Sequence, residues 1–535
     1  TDFDPNLEAD VLVIGGGPAG TWAAWSAANS GAKVILVDKG YCGTSGATAP
    51  SGTGVWYVPP DPVQREAAMA SREALGGFLS NRRWMTRVLD QTYTNLNMLG
   101  DWGFPFPVDE EGRPYRRSLQ QGQDYMRLMR KKIKKAGVQI LDHSPALELL
   151  VDAEGIVAGA AGINRQSGER WRVRSGAVVI ATGGCAFLSK ALGCNVLTGD
   201  GYLMAAEAGA EMSGMEFSNA YALSPVFSSV TKGAYYRWAT FTYEDGTEIE
   251  GAGSHKGRSV IARTLLSQPV YAILNKATPE EQQILRTVQH NFFLPFDRLG
   301  IDPFTQRFPI TLRLEGTVRG TGGIRIIDDT CAASVPGLYA AGDAATRELI
   351  CGGFTGGGSH NAAWATSSGY WAGEAAASFA RQLGAKVNQR TVEGIGETAV
   401  RSHNGHTKSF APSEVIQGVQ AEVFPYDRNF FRTEQGLSES LNRLHHLWKH
   451  IRHSEVVAEN QIVQAREAAA MVATARWMYA SALERKETRG MHRHLDYPQQ
   501  DPNLQHRLLS GGLDHVWVKP ERLEAVQREK ELVAL

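Results

Sequence analysis

Residues 10–38 read DVLVIGGGPAGTWAAWSAANSGAKVILVD, and this run sets the architecture. Val11–Ile14 is short and apolar, as a strand buried on both faces requires. Gly15, Gly17 and Gly20 give a GxGxxG turn. Thr21–Asn29 is alanine-rich and predicts a helix that Gly31 can stop. Val34–Val37 predicts a second buried strand, ending at Asp38. Strand, turn, helix, strand and acid therefore fall in the order of a βαβ nucleotide-binding unit. Gly15 permits the tight turn, Gly17 lets the backbone approach a pyrophosphate, and Gly20 lets the helix close on the strand. Pro18 and Ala19 open the helix whose N–H groups and partial positive charge attract phosphates. Asp38 can accept from a ribose hydroxyl. On these residues alone the nucleotide is FAD or NAD(P).

The rest of the composition narrows the class. With 535 residues the chain exceeds what one hydrophobic core organises. Lys and Arg (55) balance Asp and Glu (56), so there is no basic excess for nucleic acid. No apolar run is long enough for a membrane span, and the polar stretch 1–10 does not read as a secretory signal. Five cysteines, none at CxxC spacing, argue against a disulfide scaffold, structural zinc or an iron–sulfur cluster held by this chain. A reducing, cytoplasmic setting is expected. His446, His450 and His453 share a helix face, but no carboxylate or cysteine completes a metal site, and none is assigned. The basic run RKKIKK (130–135) closes a helix before Gly137 and reads as a solvated C-terminus.

Ala177–Gly184, AVVIATGG, reads as a buried strand entering a turn, and Gly337–Ala345, GLYAAGDAA, as another. Together with TGDGYLMAAEAGAE (198–211), GMEF (214–217), GGFTGGGS (352–359) and RKETRGMHRHLDYP (485–498), their order and spacing resemble the succinate dehydrogenase/fumarate reductase flavoprotein superfamily. That superfamily also includes L-aspartate oxidase and the adenylylsulfate reductase α subunit. The resemblance implies an α/β fold. A two-dinucleotide-binding, Rossmann-like FAD domain (1–217 and 322–385) would carry an inserted α+β capping domain (218–321). Residues 386–535 would form a linker and a helical domain, with 385–430 as the linker. It implies FAD, with Asp343 after Gly342 on the ribityl chain and backbone at Ala146 offered to adenine. Ala181, Thr182, Gly183, Lys39 and Asp200 are counted with the cofactor residues. So is the small-residue loop of Ser45, Gly46, Ala47, Thr48, Ser51 and Gly52, which can lie against a flat ring. Ser45 stands in the slot where membrane-bound members carry a flavin-linked histidine, so the FAD is expected to be non-covalent. A helix starting near Ser359, His360 and Asn361 would aim N–H groups at the flavin pyrimidine edge.

The departures bear on substrate. Members acting on dicarboxylates carry a His after the MEF-like segment, a His-Tyr pair before a Gly-Gly, and an Arg in an Arg-x-Gly-Gly-Asn-Ser stretch. Here the slots read MEFSNAYALSP without His, Val318-Arg319, and Phe354. A carboxylate buried without a cationic partner costs several kcal/mol, so succinate, fumarate and aspartate fit poorly. An aromatic or apolar small molecule fits Phe354, Tyr221, Tyr235, Tyr236 and Trp238 better. Arg319 is the first candidate for a catalytic or anchoring residue, followed by His360, Arg237 and Tyr221. Trp56 and Tyr57 could wall the flavin or the substrate.

Three activities compete: a soluble FAD-dependent dehydrogenase or oxidase moving a hydride to or from flavin N5, the flavoprotein subunit of an adenylylsulfate-reductase-like complex with an Fe–S partner, and a flavin-bearing binding protein without turnover. An electron-acceptor protein and a second copy of the chain are the protein partners left open.

Overall fold

The computed structural model describes residues 6–521, apart from 120, 232, 255, 357, 402–408 and 455–457. Parts of the polar start (1–10) and of the expected linker (385–430) therefore lie outside the described residues. The main sheet has eight strands. Six are β1 (Asn6–Ile14), β2 (Val34–Val37), β3 (Gln139–Leu141), β4 (Ala146–Val151), β5 (Val157–Ile163) and β6 (Arg170–Ile180). Their order is β4-β5-β6-β1-β2-β3, with Glu393–Gly394 outside β4. The eighth, Leu338–Ala340, pairs in parallel with the far end of β6, in register Leu338↔Val178. One edge of β6 runs along β1; the other is shared between β5 and Leu338–Ala340. A segment far along the sequence thus reaches the centre of the sheet, at the carboxyl ends where ligands bind in open α/β folds.

The first strand and the helix of the opening βαβ unit are longer than their sequence signal. β1 begins at Asn6, pairing Leu7 with Val173 and Glu8 with Arg174 beyond the apolar run. The helix α1 (Pro18–Asn29) begins at Pro18 instead of Thr21, because proline at the first turn presets φ and gives up an N–H that would have no partner. α1 packs on the long helix Gly358–Leu383 through small residues. Cβ atoms on Gly369 and Gly373 would stand 2.4 Å from Ala19 O and 2.1 Å from Ala23 O. The two backbones approach too closely for any larger residue.

Between β6 and Leu338–Ala340 in the sequence the chain forms a four-stranded antiparallel sheet, Ala220–Pro225, Phe308–Gly316, Val270–Ile273 and Thr240–Thr242 in spatial order. Its core is aromatic. Tyr235 lies 4.8 Å from Phe292, and Tyr236 stacks on Phe241 at 6.1 Å. These tyrosines fill the cap interior and do not wall a substrate. The C-terminal part is helical, with Pro412–Val423, Glu434–Arg452 and Ile462–Glu484. The first of these falls where a linker was expected. Its buried Val415, Ile416, Val419 and Val423 have helical spacing, and Pro412 marks the start. A third sheet ties Leu508–Gly511 to Met212–Ser213, so the C-terminal segment returns to the nucleotide-binding half. No helix among the described residues is long and apolar enough to cross a membrane.

Candidate functional site

A cavity of about 450 Å³ opens along the carboxyl ends of β1, β2 and β6. At one end it meets the glycine turn. Gly15 has φ +109°, and a Cβ there would stand 2.1 Å from Ala181 O, so only glycine fits. A Cβ on Gly20 would stand 1.7 Å from Gly15 O, which is why the helix can close on the strand. Gly17 differs: a Cβ there would meet nothing within 4 Å, and it would point into the cavity. No side chain caps α1 at Gly17, so its first N–H groups are left for a ligand. Pro18 and Ala19 complete this wall; Gly20 lies behind it.

Asp38 closes the β2 end of the turn. Oδ2 accepts from Gly16 N (2.8 Å), and Oδ1 accepts from Gly40 N (2.8 Å) and the Ser45 hydroxyl (2.7 Å). The carboxylate is held in place with an Oδ2 lone pair to spare for a ribose hydroxyl. Ser45 is thus engaged beside the ribose acid. Gly46, Ala47, Thr48, Ser51 and Gly52 line the same cavity, and so do Ala146, Ala181, Thr182 and Gly183.

Lys39 also lines it, but its ammonium is spent. Nζ donates to Asp200 Oδ2 (2.8 Å) and Thr198 Oγ1 (3.0 Å) and lies 2.6 Å from Glu467 Oε2. Burial works against this charge, yet Asp200 and Glu467 outweigh it and hold the pKa above the usual lysine value. Glu467 comes from the helix Ile462–Glu484, a partner no local pattern announces.

Farther along, Gly342 and Asp343 line the cavity. Asp343 Oδ1 accepts from Arg347 Nη1 at 2.5 Å. Burial raises the Asp343 pKa, opposed by Arg347 and Arg319. Arg347 itself is fully buried. Its Nη2 donates to the carbonyls of Thr317 (2.9 Å), Val318 (3.2 Å) and Gly320, which belong to the turn carrying Arg319. Asn361 Nδ2 donates to Val318 O (3.0 Å), while Asn361 Oδ1 and Thr182 Oγ1 are buried without a partner among the described residues. Ser359 shares the wall with them at the start of the helix Gly358–Leu383. A glycine cradle at a helix N-terminus, a poised ribose acid, and orphaned polar atoms near a second helix start fit an elongated dinucleotide such as FAD. Gly15–Gly17 and α1 would hold its pyrophosphate, Asp38 a ribose, Asp343 the ribityl chain, and Ser359 and Asn361 the ring edge.

The other candidates separate. Arg319 lines the cavity, with Nε 3.8 Å from the buried Glu315. His360 does not line it. Its ring packs on Trp56 at 4.7 Å, Nε2 has no partner among the described residues, and burial, with Arg72 adding to it, takes its pKa down to about 3. A ring neutral at pH 7 and closed off from the cavity is not poised as an acid there. Trp56 is buried beneath it, and the Tyr57 hydroxyl bonds Asn97 Oδ1 at 3.0 Å. Tyr221 is a correction: it is buried in the cap, and its hydroxyl donates to Val423 O (2.8 Å) and Phe424 O (3.1 Å), the end of a C-terminal helix. Arg237 is another: it is exposed and stacks over Trp238 at 3.9 Å. Phe354 packs against Leu79, Phe217 and Met491, and Arg72 reaches the same loop to donate to Thr355 O. His492 is buried, accepting from Arg432 (2.7 Å) and donating to Arg485 O (2.9 Å), a structural pairing.

Sequence reasoning missed Arg258. It lies on the helix Gly257–Leu265 of the cap, its Nη2 3.2 Å from where a Gly233 Cβ would stand, and Gly233 lines the cavity. Solvent reaches it in a crowded cleft. Loss of water pulls its pKa down, Glu315 pulls it back, and Arg319 adds to the depression.

The family model described as an FAD binding domain matches residues 10–225, and the fumarate reductase flavoprotein C-terminal model matches 423–528. The chain is 25% identical to an L-aspartate oxidase of Streptomyces coelicolor over 573 aligned residues, covering 97% of this chain and 93% of that one. It superposes on an Escherichia coli quinol fumarate reductase flavoprotein variant with TM-score 0.82 at 20% identity, covering 97% of each chain. On Archaeoglobus fulgidus adenylylsulfate reductase the TM-score is 0.76 at 18% identity, covering 96% of each. The two family models together take in more than half of the chain.

Proposed function

Because the chain belongs to the succinate dehydrogenase/fumarate reductase flavoprotein superfamily and is an FAD-dependent oxidoreductase, we propose that it moves a hydride between flavin N5 and a small molecule other than a four-carbon diacid. Bound FAD supplies the two-electron acceptor or donor. The chain's own residues do the rest. The start of the helix Gly358–Leu383, with Ser359 and Asn361, offers hydrogen-bond donors and a partial positive charge to the ring edge. Arg319, steadied by Glu315, anchors the substrate at the cap side of the same cavity.

Phe354 carries the exclusion of diacids. It stands in the slot of the resemblance's substrate-binding arginine and packs into an apolar cluster, so that slot offers no charge for a second carboxylate. The residues after Glu216 and Phe217 support the same reading. Ser218 and Asn219 are buried, and Asn219 is bonded to Asn429 O (2.8 Å), where the resemblance calls for a histidine. A reducing, cytoplasmic setting is part of this proposal; five buried free cysteines support it. The test is anaerobic bleaching of the flavin across amines, alcohols, aromatic acids and sulfur compounds, with succinate and L-aspartate included. Bleaching by a member of the panel outside the four-carbon diacids is expected, with Arg319→Ala slowing it at least tenfold while FAD stays bound. Rapid turnover of a four-carbon diacid would overturn the reading.

A further inference from the structure

A file of aromatic rings leads from the cofactor cavity to the surface. Tyr125 lines the cavity and is 3% exposed. It lies on the helix Gly122–Lys135, whose Gly122 N donates to Ser51 O at 2.8 Å. Its ring therefore stands one turn from the small-residue loop that is expected against the flavin. Trp22 of α1 is fully buried and donates through Nε1 to Tyr125 Oη at 2.7 Å. Trp22 stacks on Trp102, with centroids 5.5 Å and planes 23° apart, and Trp102 meets Trp25 at 5.0 Å. Trp102 and Trp25 are half-buried, so solvent reaches the far end of the file. Indole gives up a single electron more readily than most side chains, and flavins take part in one-electron chemistry.

Charge placement sets this file apart from a second one. Trp84 lies 6.0 Å from Trp364 and 5.9 Å from Trp371. The Arg87 guanidinium sits over both Trp84 (4.4 Å) and Trp371 (4.0 Å), and a ring that had lost an electron would be repelled by it. Trp364 does not line the cavity. In the first file Lys132 Nζ lies 4.8 Å over Trp102, while no cation among the described residues stacks on Trp25. Positive charge is thus driven past Trp102 to Trp25.

We propose that Tyr125, Trp22, Trp102 and Trp25 form a one-electron conduit between bound FAD and solvent, separate from the hydride chemistry. When blue light excites the bound flavin, the Trp22 indole gives it one electron across Tyr125. Trp102 refills Trp22, and Trp25 refills Trp102. The vacancy then settles on Trp25, where a soluble thiolate or ascorbate supplies the missing electron. Each event moves one electron from that donor to the flavin, and a proton from water balances the charge. Two events turn two thiolates into one disulfide. Tyr125 bridges without being oxidised: a phenol that loses an electron must also lose its proton to a base, and the Trp22 N–H beside it is a donor.

The experiment gives the FAD-loaded protein a blue flash without oxygen, substrate or donor. Transient absorption and EPR of frozen samples then read the radical on the chain. A long-lived indole radical is expected. Trp102→Phe, which keeps an aromatic ring but removes the indole, should lower its yield about tenfold or more at equal FAD content. Trp25→Phe, at the half-buried end, should do the same and serves where Trp102→Phe fails to fold. Trp371→Phe, in the second file, should leave the yield unchanged. Under continuous light with dithiothreitol, flavin bleaching should slow in the same order. No radical in the unsubstituted protein, a tyrosine line shape in its place, or equal yields in the folded variants overturns the conduit. Bleaching by a substrate in the dark, in a protein that forms no radical, refutes the conduit and leaves hydride transfer standing. A radical in a protein that no substrate bleaches does the reverse.

Discussion

At the residue scale the glycines of one turn separate folding from ligand binding. Gly17 has φ −77° and ψ −165°, backbone that any residue adopts. Its Cβ would meet no protein atom within 4 Å, only cavity. Gly17→Val should therefore leave the stability of the FAD-free protein within about 0.5–1 kcal/mol, yet weaken FAD binding at least tenfold; flavin fluorescence titration alongside thermal melting reads both. His360 gives a signed pH effect. Its folded pKa, about 3, lies below the usual 6.5, so the unfolded chain takes a proton that the folded protein refuses. The stability this supports is complete above pH 6.5 and is lost as pH falls toward 3. His360→Gln should lose about 1.4 kcal/mol less per pH unit than the unsubstituted protein between pH 6 and 4, measured by urea unfolding at each pH. Parallel slopes would count against a buried neutral ring.

At the scale of elements, local pattern and tertiary placement part company. The βαβ unit was legible because its glycines, apolar strands and terminal acid are all contiguous. Its boundaries were not, since β1 is extended by pairing with β6. The aromatic residues of the cap were misread for a simple reason: residue type does not say which way a ring faces. Tyr221 faces a helix end, where carbonyls lack intrahelical donors. Tyr221→Phe should cost about 1–2 kcal/mol by leaving buried carbonyls short of a donor, with no change in the rate of flavin bleaching. A large rate loss at unchanged stability would return Tyr221 to the active site. Arg258 escaped notice because only the docking of the cap brings its helix to the cavity.

At the scale of the whole molecule, a buried ionic network joins distant segments. Arg485 Nε donates to Glu216 (2.8 Å), and Glu487 accepts from both Arg485 (2.7 Å) and Arg489 (2.8 Å); these side chains are 0–1% exposed. Arg489 also donates to Gly77 O, and Arg507 to Leu79 O at 3.0 Å. The last part of the chain therefore straps the first part to the MEF segment. Removing one charge from such a network leaves the others buried and uncompensated. Glu487→Gln should destabilise the protein by about 3–5 kcal/mol, seen as a lower Tm with loss of FAD on heating. The links to Glu216, Gly77 and Leu79 are not legible locally, because those partners lie hundreds of residues from Arg485, Arg489 and Arg507. The sequence motifs did mark the right segment, 485–498, without revealing that its work is structural.

The clasp on Lys39 carries this dependence to the nucleotide pocket. Asp200 and Glu467 share one ammonium, and Glu467 belongs to a helix far downstream of the glycine turn. A fragment that stops short of Glu467 has the glycine turn but lacks the second carboxylate that steadies Lys39 beside it. Retention of the dye should therefore depend on the downstream helix as well as on the glycine turn: Glu467→Gln should weaken flavin retention in a fluorescence titration.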